Sequence, residues 1–369
     1  MIYADNAATT QLDSEAFKSM VPFLTTEYGN ASQSYSFATI EKKALKEARK
    51  MIAKCINAYP DEIFFTSGGT ESDNWAIKMG CKACCGDVIT SEIEHHAVLR
   101  ACNSVANSGV KVKYLPVDET GVVKVSDAEK IIDLNTGLVS VMIANNEIGS
   151  IQPIGELVAI AHRNNAIFHT DAVQAVGHIS VDVKELDIDM LSASAHKFNG
   201  PKGIGFLYVK RGTNIKPYMD GGRQENGLRA GTENVASIVG MAVALKTNVQ
   251  NMQATVDKLC KLEDIVKNEL NNKKIEYLLN GNSYKIPGNM SLSFKKCEGE
   301  MILHRMDIMG ICISTGSACD SVNTQLSHVI KAIKVPDIYA EGTIRISFGK
   351  YNTEKDAKIL ADSLIKILG

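Results

Sequence analysis

The chain has 369 residues, which is long enough to build about two domains around a large buried core. Its 40 Lys and Arg residues nearly balance its 42 Asp and Glu residues, so the formal net charge is −2, and no basic block stands out. This composition argues against nucleic acid and against an anionic membrane surface as partners.

The distribution of apolar residues and the number of cysteines predict a cytoplasmic protein. The most apolar segment, 235–245, has only 11 residues, whereas a membrane-spanning helix needs about 20. The N-terminus carries acidic residues and lacks an apolar run, so we expect no signal peptide. The nine cysteines, an odd number, favour reduced thiols in the cytoplasm.

Predicted strands and helices alternate over the first 210 residues. Helix 40–56, for example, has apolar residues spaced to form one buried face. This alternation predicts an α/β fold with a mostly parallel sheet, helices on both faces and a ligand site at the carboxyl ends of the strands. The predicted strands are 62–66, 87–91, 111–116, 138–144, 166–171, 190–194 and 205–210, and the predicted helices are 14–24, 40–56, 70–84, 97–108, 126–132 and 154–164.

The pattern changes after residue 235. Continuous helical periodicity over 235–270 predicts one long helix that leads into a second domain. From residue 274 onwards, shorter elements predict a smaller α+β unit. Its predicted strands are 275–279, 290–294, 311–314 and 343–347, and its predicted helices are 300–309, 326–333 and 354–368.

Lys197 follows a predicted strand, close to Ser194 and His196 and before a loop that contains glycine and proline. A lysine at the exit of a buried strand can form a Schiff base with an aldehyde when burial or a neighbouring cation lowers its pKa. A solvated lysine at the start of a loop is the more frequent alternative. The residues at the other strand ends must therefore decide between the two.

Residues at three other strand ends have types that suit a flat, charged cofactor. Asp171 ends a predicted strand, and its carboxylate can keep a pyridine nitrogen protonated, although an Asp that caps the next segment is an equal alternative. His95 follows another strand, and its ring can stack on a cofactor and transfer protons. Gln174 and Asn146 add amide groups nearby.

The turn at 67–70, Ser-Gly-Gly-Thr, joins a predicted strand to a predicted helix. Its glycines let backbone N–H groups approach an oxyanion, and the N-terminus of the helix adds a positive dipole. An ordinary helix cap is the simpler alternative. Because the turn lacks the Walker lysine and the Gly-x-Gly-x-x-Gly spacing, nucleoside triphosphates and dinucleotides fit it poorly.

Cys319 differs from most of the other cysteines in its surroundings. It lies in the segment 314–319, Ser-Thr-Gly-Ser-Ala-Cys, whereas most of the others lie in helix or strand patterns that predict buried side chains. Cys81, Cys84 and Cys85 end a helix without a second Cys/His pair at metal-binding spacing, so we predict no metal site.

In this order and spacing, the motifs resemble those of the cysteine desulfurases, which use pyridoxal 5'-phosphate (PLP) and belong to fold type I in the class V aminotransferase superfamily. The cysteine loop is similar to that of the group I subclass. The resemblance implies a large PLP-binding domain at 13–248, with a mostly parallel seven-stranded sheet, and a smaller α+β domain formed by 1–12 and 249–369 that carries the cysteine loop. The matching motifs are Asp-Asn-Ala-Ala-Thr-Thr at 5–10, Ser-Gly-Gly-Thr-Glu-Ser at 67–72, Glu-His-His-Ala-Val at 94–98, Asn-Asn-Glu-Ile-Gly at 145–149, Asp-Ala-Val-Gln at 171–174, His-Lys-Phe-Asn-Gly-Pro-Lys-Gly at 196–203 and Arg-Ile-Ser-Phe-Gly at 345–349.

The resemblance also implies a role for each site residue. Lys197 would carry PLP covalently, Asp171 would pair with its ring nitrogen, and Gln174 would bond its phenolate oxygen. Asn146 would lie along the same edge of the ring, with His95 stacked on its face. The remaining assignments are Gly69, Thr70, Ser194 and His196 to the phosphate, Thr232 to the phosphate of a neighbouring subunit in a homodimer, and Arg345, with Asn6 and Asn289 as further candidates, to the substrate.

The implied activity converts L-cysteine into L-alanine. Lys197 would remove the Cα proton, His95 would relay protons, and the Cys319 thiolate would attack the substrate sulfur and keep it as a persulfide. That sulfur would pass to an acceptor such as an iron–sulfur scaffold protein. A lyase that acts on selenocysteine or cysteine sulfinate is an alternative with the same fold, and a non-catalytic sulfur-relay adaptor is an alternative from another class.

The chain departs from the family pattern in a few places. Tyr35 stands where relatives commonly have histidine, and Asn226 replaces a usual Arg or Lys. The sequence also stops directly after its last predicted helix, without the extension of longer relatives, so we expect its recognition of a scaffold to differ.

Overall fold

A computed structural model describes residues 1–315 and 326–369. The described strands form three sheets, of which the largest has seven strands. In chain order the elements are β1 (Ile2–Tyr3), α1 (Ser14–Thr25), α2 (Thr39–Cys55), β2 (Ile63–Thr66), α3 (Gly69–Cys84), β3 (Asp87–Ser91), α4 (His96–Ala106), β4 (Val112–Leu115), α5 (Val125–Ile131), β5 (Thr136–Ser140), α6 (Ile154–Arg163), β6 (Ile167–Asp171), β7 (Met190–Ser194), β8 (Gly205–Val209), α7 (Val235–Gln250), α8 (Met252–Asn272), β9 (Tyr277–Asn280), β10 (Asn289–Phe294), α9 (Gly299–Ile308), β11 (Ile311–Cys312), α10 (His328–Ala332), α11 (Asp337–Ala340), β12 (Thr343–Ser347) and α12 (Glu354–Leu368).

The seven-stranded sheet has the strand order β2-β8-β7-β6-β5-β3-β4. Among its strands, β8 runs antiparallel to β2 and β7, and the other four neighbouring pairs are parallel. The prediction of a mostly parallel sheet is therefore confirmed. The strands β2, β3, β5, β6 and β7 all end at the same edge of the sheet, where open α/β folds place their ligands.

Both faces of this sheet are covered by helices, which explains why most of its strands are buried along nearly their whole length. Phe64 and Leu138 pack with Trp75 of α3 on one face. Their chain neighbours Phe65 and Val139 belong to the core on the opposite face. This alternation between the two faces is that of a pleated strand.

A second core lies between the antiparallel sheet β12-β10-β9 and the helices α8, α9 and α12. Strand β1 pairs in parallel with β11, and Ala4 is buried in this core. The first residues of the chain thus pack with its last third. The division into domains at 13–248 and at 1–12 with 249–369 remains a prediction.

The prediction of one helix over 235–270 is wrong, because α7 ends at Gln250 and α8 begins at Met252. Asn251, between them, has φ −106° and ψ 11°, and its Nδ2 donates to the Thr247 carbonyl at 2.8 Å. An asparagine side chain that bonds nearby backbone competes with helical hydrogen bonds. The hydrophobic periodicity therefore continues across a point where the helix stops.

The predicted strand 138–144 is also too long, because β5 ends at Ser140. Beyond Ser140, the Val141 and Ile143 N–H groups still donate to carbonyls of β6. Ala144, however, pairs with Ile151 in an isolated antiparallel β-bridge. The apolar run thus covers a strand and the turn that follows it.

Strand β1 and helix α11 are too short, at 2 and 4 residues, to produce a periodic signal in the sequence. Within the described ranges, no helix combines the length and apolar character needed to cross a membrane.

Candidate active site

A cavity of about 560 Å³ opens at the carboxyl ends of the parallel strands. Its volume lies in the range of small-molecule and cofactor sites. Side chains from five strand ends and from β12 meet in its wall. The predicted site residues that line it are Gly69, Thr70, His95, Asn146, Asp171, Gln174, Ser194, His196, Lys197 and Arg345.

Lys197 ends a short 3₁₀ turn directly after β7. Its Nζ donates to the Ala7 carbonyl at 2.6 Å and to the Ala8 carbonyl at 2.9 Å. The half-buried His178 contacts the Lys197 carbonyl through Nε2 at 2.9 Å, which fixes the backbone below the amine. The amine is therefore held by oxygen acceptors of the N-terminal loop and faces the cavity.

Asp171 is the last residue of β6, and its carboxylate accepts the Val173 N–H at 2.8 Å. Burial raises the pKa of Asp171 to about 6, against the opposing effects of the Val173 hydrogen bond and of the charge on Lys197. The adjacent Gln174 donates through Nε2 to the Ala7 carbonyl at 2.9 Å. A buried carboxylate that accepts few hydrogen bonds from the protein is suited to pair with a cationic ligand.

The turn between β2 and α3 brings backbone close to the cavity. Gly68 has φ 147°, in the region that favours glycine. A Cβ on Gly69 would lie 2.6 Å from Val173 Cγ2, so this position also requires glycine. The N-terminus of the 16-residue helix α3 thus points its N–H groups at the cavity wall, where an anion binds well.

The structure also shows an ion pair beside this turn, between Arg229 and Glu71, which the sequence did not predict. Arg229 Nε donates to Glu71 Oε1 at 2.8 Å and Nη2 donates to Oε2 at 3.0 Å, while the Ser67 N–H also donates to Glu71. These contacts lower the pKa of Glu71 against the effect of its burial. Because the Glu71 charge is offset by Arg229, it repels an anion at the neighbouring turn less strongly.

His95 caps α4, and its Nδ1 accepts the Ala97 N–H at 3.1 Å. Burial, and next the charge on Lys197, lower the pKa of His95 to about 4. The ring is therefore neutral at physiological pH. His196 is similar, since burial and Lys197 also lower its pKa to about 4, and its Nδ1 lies 3.2 Å from Thr9 Oγ1.

Arg345 reaches the cavity from β12 and is almost entirely buried. Its Nη2 donates to Asp5 Oδ1 at 2.7 Å, and its Nη1 donates to the Asn146 carbonyl at 2.9 Å. These contacts aim a planar guanidinium, which suits bidentate binding of a carboxylate, at the cavity.

Three predicted residues do not line the cavity. Asn6 donates through Nδ2 to the Ser347 carbonyl at 2.9 Å, which ties the N-terminal loop to β12. Asn289 lies behind the wall, with Nδ2 at 3.5 Å from the Asn146 carbonyl, and Thr232 lies away from the cavity of its own chain. Cys319 falls within 316–325, outside the described residues. The roles assigned to these four residues stay predictions.

The cavity wall also contains residues to which sequence reasoning assigned no role. His96 follows His95 in the chain, and His328 comes from α10 and contacts the Glu94 carbonyl through Nε2 at 3.0 Å. Glu147 is held by Ser327, whose Oγ donates to Oε2 at 2.6 Å. His328 carries no local motif, so only its position in the folded chain identifies it. In the described part of the chain, no group of three or more His, Cys, Asp or Glu residues is arranged to hold a metal ion.

Comparison with known proteins gives consistent matches. The family model described as Aminotransferase class-V matches residues 2–360. The protein named Cysteine desulfurase IscS from Dictyoglomus turgidum is 47% identical over 371 residues, which cover 100% of this chain and 94% of that protein. A solved structure named NifS-like protein superposes with a TM-score of 0.94 at 37% identity, covering 100% of this chain and 99% of that one. A structure described as SspA in complex with cysteine gives a TM-score of 0.84 at 33% identity, covering 96% of this chain and 100% of that one.

Proposed function

The chain belongs to the cysteine desulfurases of the class-V aminotransferase family, and we propose that it works with PLP held by Lys197 and with Cys319 as the thiol that accepts sulfur. The reaction takes L-cysteine to L-alanine and leaves the sulfur on the enzyme as a persulfide. One observation carries the proposal: Lys197, Asp171 and the turn at Gly69 converge on a single cavity.

The donor set of the cavity fits PLP, which combines an aldehyde, a pyridine ring and a phosphate. The Lys197 amine would bind the aldehyde, the Asp171 carboxylate the ring nitrogen, and the N-terminus of α3 the phosphate. The glycines at 68 and 69 support the last assignment, because they let the backbone of this turn lie close to the cavity. When bound, PLP supplies an electron sink that stabilises negative charge on the substrate carbon. The further proposed contacts come from Thr70, His95, Asn146, Gln174, Ser194 and His196.

Two groups would control the Cα proton and the charge that its removal creates. Lys197 would take the proton, since a base must lie within hydrogen-bond reach of the proton it removes, and the Ala7 and Ala8 carbonyls already orient its Nζ. Asp171 would keep a proton on the ring nitrogen, because a buried carboxylate and a buried cation stabilise each other's charged forms.

Arg345 would bind the substrate carboxylate. Its contacts with Asp5 and the Asn146 carbonyl fix the plane of the guanidinium before substrate arrives. A guanidinium that is already oriented loses less conformational entropy when a ligand binds. This orientation favours a ligand whose carboxylate lies opposite the guanidinium. This supports an α-amino acid as the substrate class.

Cys319 is the proposed nucleophile, and the described residues on both sides of its segment support this assignment. Ser314 pairs with Arg345 through two backbone hydrogen bonds, and Ser327 bonds Glu147. Both Arg345 and Glu147 line the cavity. Cys319 follows Ser314 by five residues, a length of chain that spans at most about 17 Å. The thiol therefore has the chain length to reach a substrate in the cavity.

We also propose a homodimer, in which Thr232 reaches the phosphate in the neighbouring subunit. Large apolar side chains are exposed along α1, the segment that leads to α2 and the first turn of α2, and Tyr28 contacts Phe37 in this segment with ring centroids 5.1 Å apart. Exposed apolar clusters of this kind are typical of subunit interfaces. The exposed residues are Phe17, Leu24, Tyr28, Tyr35, Phe37 and Ile40.

The substrate and the sulfur acceptor follow from the family. L-cysteine is the proposed substrate, and SspA, which is 33% identical, has been solved in complex with cysteine. The proposed acceptor is a partner protein such as an iron–sulfur scaffold. The eight cysteines among the described residues are free thiols, which supports a reducing compartment such as the cytoplasm.

The test is to incubate the purified, PLP-loaded protein with L-cysteine, selenocysteine and cysteine sulfinate in parallel and to measure alanine. We expect the highest kcat/KM with L-cysteine. A higher kcat/KM with selenocysteine or cysteine sulfinate would reassign the substrate, and no alanine from any of the three would contradict the proposal.

A further inference from the structure

One cation in the wall of the cavity has no role in the proposed function. Lys202 lines the cavity, and its side chain is exposed. Among the described residues it forms no ion pair, so its charge is available to a ligand. The next residue, Gly203, also lines the cavity and has φ 77°, in the region that favours glycine. The two residues form a turn at the edge of the cavity.

The chain after Lys202 leads directly to the turn proposed to bind the phosphate. Strand β8 begins at Gly205, which pairs with Thr66 on one side and with Ser194 on the other. Gly205 packs so closely on Gly68 that an added Cβ would lie 2.7 Å from the Gly68 Cα atom. Gly205 follows Lys202 by three residues, a length of chain that spans at most about 11 Å. Lys202 therefore lies on the same side of the cavity as that turn.

Backbone hydrogen bonds hold the segment that carries Lys202. The Gly200 N–H donates to the Ala195 carbonyl at 2.8 Å, and the Ala195 N–H donates to the Ile204 carbonyl at 3.1 Å. Both bonds tie this segment to the 3₁₀ turn Ala195–Lys197, which contains two proposed contacts of PLP. The backbone of Lys202 is thus held next to the cofactor site, while its side chain stays exposed.

The charge on Lys202 acts on His196, one of the residues proposed to bind the phosphate. Burial, then the charge on Lys197 and then that on Lys202, lower the pKa of His196 to about 4. The His196 ring is therefore neutral at physiological pH. Since both side chains line the cavity and the ring responds to the lysine charge, Lys202 and His196 face the same part of it.

The groups assigned to the phosphate leave most of its charge unbalanced. They are backbone N–H groups, hydroxyl groups and the neutral His196 ring, none of which carries a formal charge. A phosphate monoester carries about −1.5 to −2 charges at pH 7, and the N-terminus of a helix offsets only about half a unit charge. The nearby Arg229 is paired with Glu71, so this pair adds little net charge. The site therefore needs a further cation.

Lys202 is the cation that remains for this charge. Among the described residues of the wall, Lys197 is assigned to the aldehyde and Arg345 to the substrate. We propose that Lys202 supplies the positive charge that balances the phosphate of PLP, an inference that rests on the proposed function. A lysine ammonium binds phosphate as a point charge on a flexible stem, so an exposed side chain at the edge of the cavity can serve.

The test is the variant Lys202→Met, which keeps most of the apolar stem and removes the charge. The cofactor-free protein is titrated with PLP and, in parallel, with pyridoxal, which has the same ring and aldehyde but no phosphate. We expect the Kd for PLP to rise about tenfold at low salt and the Kd for pyridoxal to change less than about twofold. In about 1 M KCl the effect on PLP should shrink below about threefold, because salt screens an exposed charge.

Two further variants separate the charge of the side chain from its other properties. Lys202→Arg keeps the positive charge and should bind PLP within about threefold of the wild type. Lys355→Met removes the same charge from the exposed side of α12 and should bind both compounds as the wild type does.

Any of three results would overturn the assignment. The first is a Kd of Lys202→Met for PLP within about threefold of the wild type at low salt, with or without a raised KM for L-cysteine. The second is an equal loss of affinity for PLP and pyridoxal, which would indicate a structural effect. The third is a loss of PLP affinity that salt leaves unchanged. Failure of the wild type to bind PLP would instead count against the proposed function.

Discussion

The Arg345 guanidinium and the Asp5 carboxylate form a buried ion pair, with Nη2 and Oδ1 2.7 Å apart and Arg345 only 2% exposed. Asp5 begins the N-terminal loop whose Ala7 and Ala8 carbonyls hold the Lys197 amine. One short loop thus positions both the proposed substrate-binding arginine and the proposed cofactor-binding lysine.

Replacement of Asp5 by Asn should destabilise the protein, because it removes the carboxylate charge that pairs with the buried Arg345 guanidinium. We expect the free energy of unfolding to fall by about 3 kcal/mol, as measured by urea denaturation. The matched control is Asp61→Asn, which removes an exposed partner of Arg211 and should cost less than about 1 kcal/mol. Equal effects of the two substitutions would show that the Asp5 pair has no special role.

Replacement of Lys197 by Ala should remove both the covalent attachment of PLP and the base for the Cα proton. We expect the visible absorption of the lysine-bound cofactor to disappear and alanine formation to fall at least about 1000-fold. The exposed Lys216→Ala variant serves as the control and should keep both. Retention of the absorption band in the Lys197 variant would mean that another amine holds PLP.

Replacement of Gly69 by Ala should weaken PLP binding, since the added Cβ would lie 2.6 Å from Val173 Cγ2 and push the phosphate turn out of place. A misfit of this kind costs about 1–3 kcal/mol, or roughly a 5- to 150-fold loss of affinity in a fluorescence titration. The double variant Gly69→Ala/Val173→Ala should recover part of the affinity. Gly155→Ala, where the new Cβ would meet only Leu186 at 3.8 Å, should bind PLP normally.

The affinity for PLP should depend on pH through Asp171. Its pKa in the cofactor-free protein is raised to about 6, so the carboxyl is protonated below that pH and cannot pair with the ring nitrogen. Affinity should therefore rise with pH through about 6 and then level off. The Asp171→Asn variant keeps the titration of the PLP phosphate and supplies the baseline; the wild type should show an additional rise. Identical pH profiles for the two proteins would contradict this role.

The same pKa shift has a consequence for the stability of the cofactor-free protein. A carboxyl whose folded-state pKa is raised binds a proton more tightly in the folded chain than in the unfolded chain. Its stabilising effect is present below the ordinary pKa of 3.8 and is lost as pH rises through about 6. The unfolding free energy of Asp171→Asn should lack this decline, which denaturation at several pH values would show.

The sequence predicts the sheet and the residues at its strand ends well, because both depend on local patterns. Asp171 and Lys197 each follow an apolar run, and parallel strands bring such ends to one edge. The break at Asn251 lies within an uninterrupted apolar periodicity, so the pattern gives no signal of where α7 ends.

Contacts between residues distant in the chain are the part that sequence reasoning missed. Arg345 meets Asp5 across 340 positions, and His328 meets the Glu94 carbonyl across 234. Neither pair leaves a local pattern, since each depends on how the smaller unit packs against the large sheet. The opposite case also occurs: Asn6 belongs to a predicted site motif, but its side chain donates to the backbone of β12 and does not line the cavity.

The central claim is that Lys197 and Asp171 hold PLP in one cavity where the Cys319 thiol accepts sulfur from L-cysteine. Its most direct test is mass spectrometry of the enzyme after a single turnover with L-cysteine and no sulfur acceptor. We predict one added sulfur atom on the peptide that contains Cys319 and an equal amount of L-alanine, with neither in Cys319→Ser. Added sulfur on another cysteine, or alanine formed equally well by Cys319→Ser, would contradict the account.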